Sequence, residues 1–369
     1  MKVVIAGGGV AGAAAACLLG RDALLIEREA AAHDKICGEF VSAEAQPYLA
    51  RLGLDLAALG AAPIHAVRLI YGDRAATSAL PFAAFGLSRR ALDEALLCRA
   101  ADCGAEVVRG HAVRGLANGA FDVAGLGRVA APALFLATGK HDLRGARRQP
   151  ARAPEPLVGL KMYLSLAPAQ SAGLRGHVEV VLFSGGYAGL QLVEHGAANL
   201  CLLIRQRRFE EAGRTWAGVQ AVLEQDSPHL ARRLRGAVAR LDRPLTIFRV
   251  PYGFVHAPGP ADPPGLYRLG DQAGVIASFS GDGVSIALHS AFAAVAAQRD
   301  GGPARYHRQL RRDIAGQIAR AGAIYRASRA VPGLAVQAAR LWPGALGLAA
   351  RLTRVPASAL HEAWALHPA

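Results

Sequence analysis

A chain of 369 residues that is 52% hydrophobic can bury one large core or two interleaved ones, which excludes a disordered chain. Its formal net charge of +14 invites a nucleic-acid reading, but no basic cluster is interleaved with stacking aromatics, so a nucleic-acid binder is not expected. The five cysteines (Cys17, Cys37, Cys98, Cys103 and Cys201) are scattered without a CxxC pair, which argues against a disulfide framework or a zinc site and suits a reducing cytoplasm; no metal is expected.

In chain order, residues 2–6 form a short β-branched run, 7–12 a glycine turn, 13–19 a helix of small residues and 23–27 a second strand, the opening of a βαβ unit. The apolar run from Val3 to Gly20 mimics a signal peptide, yet its three consecutive glycines suit a nucleotide-binding turn better. No other stretch approaches the about 18 apolar residues of a membrane span. A loop over 28–42 leads to helical spacing near 43–52 and over 87–101, then to strands at 106–108 and 134–137. The segment 144–156, rich in arginine, alanine and proline, marks a crossing into another layer, where 157–167, 177–182, 187–193 and 198–204 alternate like antiparallel strands with one covered face. A helical piece at 209–240, a strand at 246–250, a return to the first layer at 266–297 and a basic helical tail from 305, broken by Pro332, Pro343 and Pro356, complete the chain.

Gly7-x-Gly9-x-x-Gly12 follows a strand and opens a helix, and Glu27 ends the next strand about 20 residues after the first glycine, the spacing of a dinucleotide fingerprint. Gly7 permits the tight turn, Gly9 the close approach of a pyrophosphate, and Gly12 the packing of helix on strand. A carboxylate at Glu27 holds ribose hydroxyls and repels a 2′-phosphate, leaving FAD or NAD. The later segments choose FAD: Gly270-Asp271 follows a strand, and Gly281-Asp282-Gly283 opens an alanine-rich helix whose N-terminus can stabilise negative charge on a reduced flavin.

With these motifs in place, the chain resembles the FAD-dependent superfamily of geranylgeranyl reductases and aromatic hydroxylases (group A flavin monooxygenases), the reductase-like branch above all. The resemblance rests on the fingerprint, Lys35-x-Cys37-Gly38-Glu39, Arg89-x-x-x-Asp93, Ala137-Thr138-Gly139, and Gly270-Asp271 with Gly281-x-Gly283, in that order. It implies an α/β fold: a doubly wound Rossmann-type FAD domain (1–70, 86–150 and 262–300), an inserted antiparallel-sheet (α+β) substrate domain (71–85 and 151–261) and a helical C-terminal region (301–369). It also implies cofactor contacts from Gly7, Gly9, Gly12, Glu27, Arg28, Lys35, Cys37, Gly38, Arg89, Thr138, Gly139, Asp271, Gly281, Gly283 and Val284.

Cys37 beside the flavin and Tyr187 on the substrate sheet are the catalytic candidates, with Glu39 either a loop carboxylate or a group that orients substrate. His289 reads as a packed helix residue, and His65 has little to distinguish it. Tyr187-Ala188-Gly189-Leu190-Gln191-Leu192 stands where prenyl reductases carry Tyr-Trp-Phe-Pro, which argues against a geranylgeranyl substrate, and Ala277 stands near the place where hydroxylases carry proline. The expected activity is reduction of a C=C bond by flavin hydride in a lipophilic, isoprenoid- or polyketide-like molecule. The alternative is a monooxygenase that hydroxylates a phenolic or polyketide substrate through a flavin C4a-hydroperoxide. Halogenation ranks last, because the chain has only Lys2, Lys35, Lys140 and Lys161 to offer as a cavity lysine and lacks a tryptophan-rich motif; a non-enzymatic membrane-surface binder is the other remote reading. No second fingerprint is present, so NAD(P)H is expected as a transient donor, or a separate reductase as a partner. The basic tail leaves peripheral membrane contact open for an otherwise cytoplasmic protein.

Overall fold

The computed structural model describes residues 2–149, 156–260, 262–342 and 344–360; the expectations for 150–155, for Pro343 and for 361–369 lie outside them. In order the chain forms β1 (Val3–Ala6), α1 (Val10–Leu19), β2 (Ala23–Glu27), β3 (Phe40–Val41), α2 (Ala45–Arg51), β4 (Ala62–Tyr71), β5 (Arg74–Gly86), α3 (Arg89–Asp102) and β6 (Glu106–Arg109). There follow β7 (Val113–Ala117), β8 (Ala120–Val123), β9 (Gly127–Ala130), β10 (Leu134–Leu136), β11 (Leu157–Ser165), α4 (Pro168–Leu174), β12 (Gly176–Phe183), β13 (Gly186–Leu192) and β14 (Ala198–Arg205). The last part holds α5 (Gln206–Glu211), α6 (Trp216–Asp226), α7 (Pro228–Leu234), β15 (Val238–Ala239), β16 (Leu245–Phe248), β17 (Leu266–Arg268), α8 (Gly283–Arg299), α9 (Gly302–Ala330), α10 (Pro332–Leu341) and α11 (Gly344–Leu352).

Five parallel strands in the order β17-β10-β1-β2-β6 make the nucleotide-binding sheet, so the return of the chain at 266 restores the layer that β1 began. Helix α1 is alanine over 13–16, every one of them fully buried, and these small side chains let it lie close to the sheet with α3 and α8 packed against it. A run of larger residues there would hold the layers apart.

The second layer is a nine-stranded sheet in the order β15-β11-β14-β13-β12-β4-β5-β3, with β16 also paired to β11. It departs from the expected all-antiparallel insert at one place: β4 pairs parallel with β12 and antiparallel with β5, so the sheet is mixed. β4, which the sequence placed with the FAD segments through residue 70, is therefore a strand of the large sheet. Val158, Leu160, Met162 and Leu164 of β11 alternate onto a core completed by α6 and α7. The meander β7-β8-β9 was not anticipated, because its short strands are interrupted by glycine and arginine.

Candidate active site

The fingerprint turn is built by steric necessity. Gly7 leaves β1 at φ +105°, and a Cβ there would lie 2.5 Å from the Ala137 carbonyl oxygen. A Cβ on Gly12 would stand 1.9 Å from the Gly7 carbonyl oxygen, so only glycine allows α1 to pack this closely. Gly9 is the N-cap of α1, and the space a side chain would take lies before the Arg89 guanidinium. Glu27, buried at the end of β2, accepts from the Gly8 N–H at 2.5 Å and the Glu29 N–H at 3.0 Å.

Cations line the middle of this site. Arg89 opens α3 behind the N-cap Ser88 and donates from Nε and Nη2 to the two Asp93 oxygens at 2.8 Å each, while Lys35 Nζ reaches Asp93 Oδ2 at 2.8 Å. Burial alone would raise the Asp93 carboxyl, but Arg89 and Lys35 outweigh it and hold the group below its ordinary value. Desolvation, then Arg28, Lys140 and further cations, hold His141 down, the mark of a positive field suited to an anion. With Arg28, the Thr138-Gly139 turn after β10, Asp271, and Gly283 and Val284 at the start of α8, these groups line a cavity of about 470 Å³. FAD fits it: a glycine cradle and helix N-terminus for the phosphates, cations beside them, and a carboxylate at the ribose position.

A second cavity, of about 180 Å³, lies between the large sheet and the C-terminal helices. Val67, Leu69, Val180 and Leu182 make it apolar, and Gly38, Tyr187 and Gly281 also line it. The two cavities share Ile36, Cys37, Lys140 and Ile247. Lys140 thus stands where the nucleotide site opens into the apolar chamber, its Nζ 3.3 Å from Asp271 Oδ2 and 3.4 Å from the Ile36 carbonyl oxygen. Burial works against its charge, but the Asp271 carboxylate outweighs it and the ammonium is held above the ordinary lysine value.

The Cys37–Glu39 loop is clamped from the sheet. Asn199 on β14 donates to the Cys37 and Gly38 carbonyl oxygens at 3.0 Å, and Gln191 on β13 donates to the Glu39 carbonyl oxygen at 2.8 Å. Glu39 takes a left-handed φ of +61° and turns its carboxylate inward, where Lys161 Nζ (2.5 Å), Tyr163 Oη (2.6 Å) and the Arg89 N–H (2.7 Å) all donate to Oε1. Burial is the largest influence on that carboxyl and raises it. Glu39 therefore fixes the loop and reaches neither cavity.

Of the candidates, the structure brings Gly7, Gly9, Glu27, Arg28, Lys35, Cys37, Arg89, Thr138, Gly139, Asp271, Gly283 and Val284 to the larger cavity. Gly38, Gly281 and Tyr187 line the smaller one, and Gly12 acts behind the wall. Tyr187 packs edge-on to Phe279 and Tyr325 in the wall of the smaller cavity, and burial pushes its phenol well above the ordinary value. His289 is packed, bonded to Tyr48 and Asp313, and His65 is exposed on β4. One group departs from the expectation of no metal cluster: ligand atoms of His256, Asp262 and His307 lie within 4.8 Å of one another. His307 Nε2 already accepts from the Arg268 N–H, and the buried Arg268 side chain lies 3.9 Å from Asp262, so a cation there would meet a fixed positive charge.

Lys140, Lys161, Gln191, Asn199 and Arg354 were missed as site residues. One signal was available for the lysines: in a chain of 42 basic residues only four are lysine, and Lys35, Lys140 and Lys161 converge here.

Comparison with solved structures places this architecture among flavoproteins. A flavin-dependent brominase, Bmp2, superimposes with a TM-score of 0.77 at 20% identity, over 95% of this chain and 92% of that one. The myxobacterial chondrochloren halogenase CndH, a variant of FAD-dependent halogenases, gives 0.69 at 19% over 84% and 78%. A flavoprotein/dehydrogenase from Cytophaga hutchinsonii gives 0.67 at 16% over 84% and 79%. No protein-family model and no curated protein matches the chain. At these identities the likeness establishes the fold alone, one shared with FAD-dependent halogenases and a flavoprotein/dehydrogenase. It also corrects the order of activities read from the sequence: the brominase and the halogenase among these structures speak against C=C reduction and hydroxylation as the leading readings, and the geranylgeranyl reductase branch gains no support. The chain does hold a cavity lysine: Lys140, in the turn after β10, lines both cavities.

Proposed function

We propose that the chain is an FAD-dependent oxidoreductase that halogenates a small, apolar, electron-rich aromatic molecule held in the smaller cavity. The observation that carries this reading is the position of Lys140, the cation at the passage between a nucleotide site and an apolar chamber. Bound and reduced FAD supplies, with dioxygen, the two-electron oxidation that makes a halide electrophilic. Lys140 Nζ then offers hydrogen-bond donors at the passage, so that an oxidised halogen is held and aimed at the neighbouring ring. The aliphatic wall excludes competing water, and the clamped Cys37–Glu39 loop keeps the passage at fixed width. The fold likeness to a brominase and to an FAD-dependent halogenase favours the same chemistry. The electron donor in this reading is a separate flavin reductase.

The test is turnover of a phenol or pyrrole probe with FAD, a flavin reductase, NADH and bromide, read by mass spectrometry. Lys140→Met is expected to keep the yellow flavin spectrum and to lose brominated product by about 100-fold or more, the scale of one deleted donor at a reacting centre. A variant as active as the parent refutes the role of Lys140.

A further inference from the structure

Six of the ten large hydrophobic side chains exposed on the described surface fall in one stretch: Val331, Leu334, Leu341, Trp342, Leu348 and Leu352, between 42% and 81% exposed. Such a concentration differs from the single exposed leucines of ordinary surfaces. Helical spacing explains it. In α10, Val336 and Ala339 turn inward onto Leu69 and Ala76 of the β4–β5 hairpin, which leaves Leu334, Ala338 and Leu341 together on the opposite side. In α11, Leu346, Ala349 and Ala350 line the smaller cavity, whereas Leu348 and Leu352, one turn apart, face out.

The charge around this face has one sign. Residues 314–361 contain six arginines and no aspartate or glutamate. Arg320 and Arg354 are spent on backbone and carboxylate contacts that hold the helices down, but Arg340 and Arg351, next in sequence to Leu341 and Leu352, stand exposed, as does Arg326 on α9. No helix of the described residues is long and apolar enough to cross a membrane, so the pattern is that of an element that lies on one.

We propose that α10 and α11 dock on an anionic phospholipid surface. Leu334, Leu341, Trp342 and Leu348 enter the boundary between headgroups and acyl chains, and Arg326, Arg340 and Arg351 meet lipid phosphates. Trp342, apolar with one N–H donor, suits that boundary. Because α11 has one face outward and the other on the cavity, docking brings the roof of the apolar chamber to the lipid, from which a hydrophobic substrate can pass inward. The docking claim does not rest on the halogenation reading.

The experiment is sedimentation of the full FAD-loaded chain with sucrose-filled vesicles of phosphatidylcholine, with and without phosphatidylglycerol. Binding is expected only where phosphatidylglycerol is present, and it should fall as salt rises. The surface variants L341S/W342S and R340Q/R351Q should each weaken it at least about tenfold while flavin absorbance stays unchanged. Absence of binding to acidic vesicles, equal binding to neutral ones, or full binding by whichever of the two variants folds overturns the proposal. A dimer in light scattering that L341S/W342S converts to monomer also overturns it, since a second copy would then cover this face.

Discussion

Asp282 is fully buried at the turn into α8, where Ser42 Oγ donates to Oδ1 at 3.1 Å and Arg354 Nη1 lies 3.3 Å from the same oxygen. Burial, only partly offset by Arg354, pushes its carboxyl from 3.8 up to about 6. The fold therefore prefers the protonated form. The stability this contributes is fully present below the ordinary value and is lost as pH rises through about 6, a loss of roughly 3 kcal/mol. Melting temperatures of the parent between pH 4 and 7 should show that loss, and Asp282→Asn, which cannot ionise, should flatten the profile; an unchanged profile in the variant contradicts the assignment. Lys161 makes a second prediction. It lies fully buried on Glu39, and Lys161→Met should cost about 3–5 kcal/mol in denaturant melts by stranding that carboxylate, with part recovered in the Glu39→Gln, Lys161→Met double variant. These pairs show where sequence reading ends at this scale. Gly7, Gly12 and Glu27 act within a few turns of chain, so their spacing was legible, whereas Lys161 and Glu39 meet across 122 residues and Asp282 meets Arg354 across 72. Nothing local to either residue announces its partner.

Among the elements, those with their own hydrophobic period were legible: β1, β2, α3, β11 and β14 lie close to where their patterns put them, because each buries a full face. Of the β4–β5 hairpin only 71–85 was assigned to the sheet domain and neither strand was delimited, since its alanine-rich sequence has weak contrast and its order comes from pairing with β12 and from α10. On β13, Gly189 lines the smaller cavity, and the nearest atom to an added Cβ there is the Cys201 carbonyl oxygen at 3.7 Å. Gly189→Phe should therefore be accepted by the strand and fill the chamber, raising KM for an aromatic probe at least tenfold while flavin affinity holds. Equal loss of flavin would show that the strand itself was disturbed. On α1 the opposite is expected: Gly12→Ala drives a Cβ into the Gly7 carbonyl and should yield colourless protein, checked by flavin content after purification.

At the scale of the whole molecule, a parallel sheet supplies the nucleotide site, a mixed sheet walls an apolar chamber, and C-terminal helices roof it. The discontinuous nucleotide layer was legible from the fingerprint at one end and Gly270-Asp271 at the other. The chemistry was not, because it depends on which side chain stands between two cavities, a fact of tertiary packing. A single turnover separates the possibilities most directly: the FAD-loaded chain is reduced without oxygen, then mixed with oxygenated buffer containing bromide, a phenol and an activated alkene. Phenol carrying one bromine, seen as its paired isotope masses and absent without bromide, is the predicted product. A hydroxylated phenol or a saturated alkene without bromine incorporation would contradict the account.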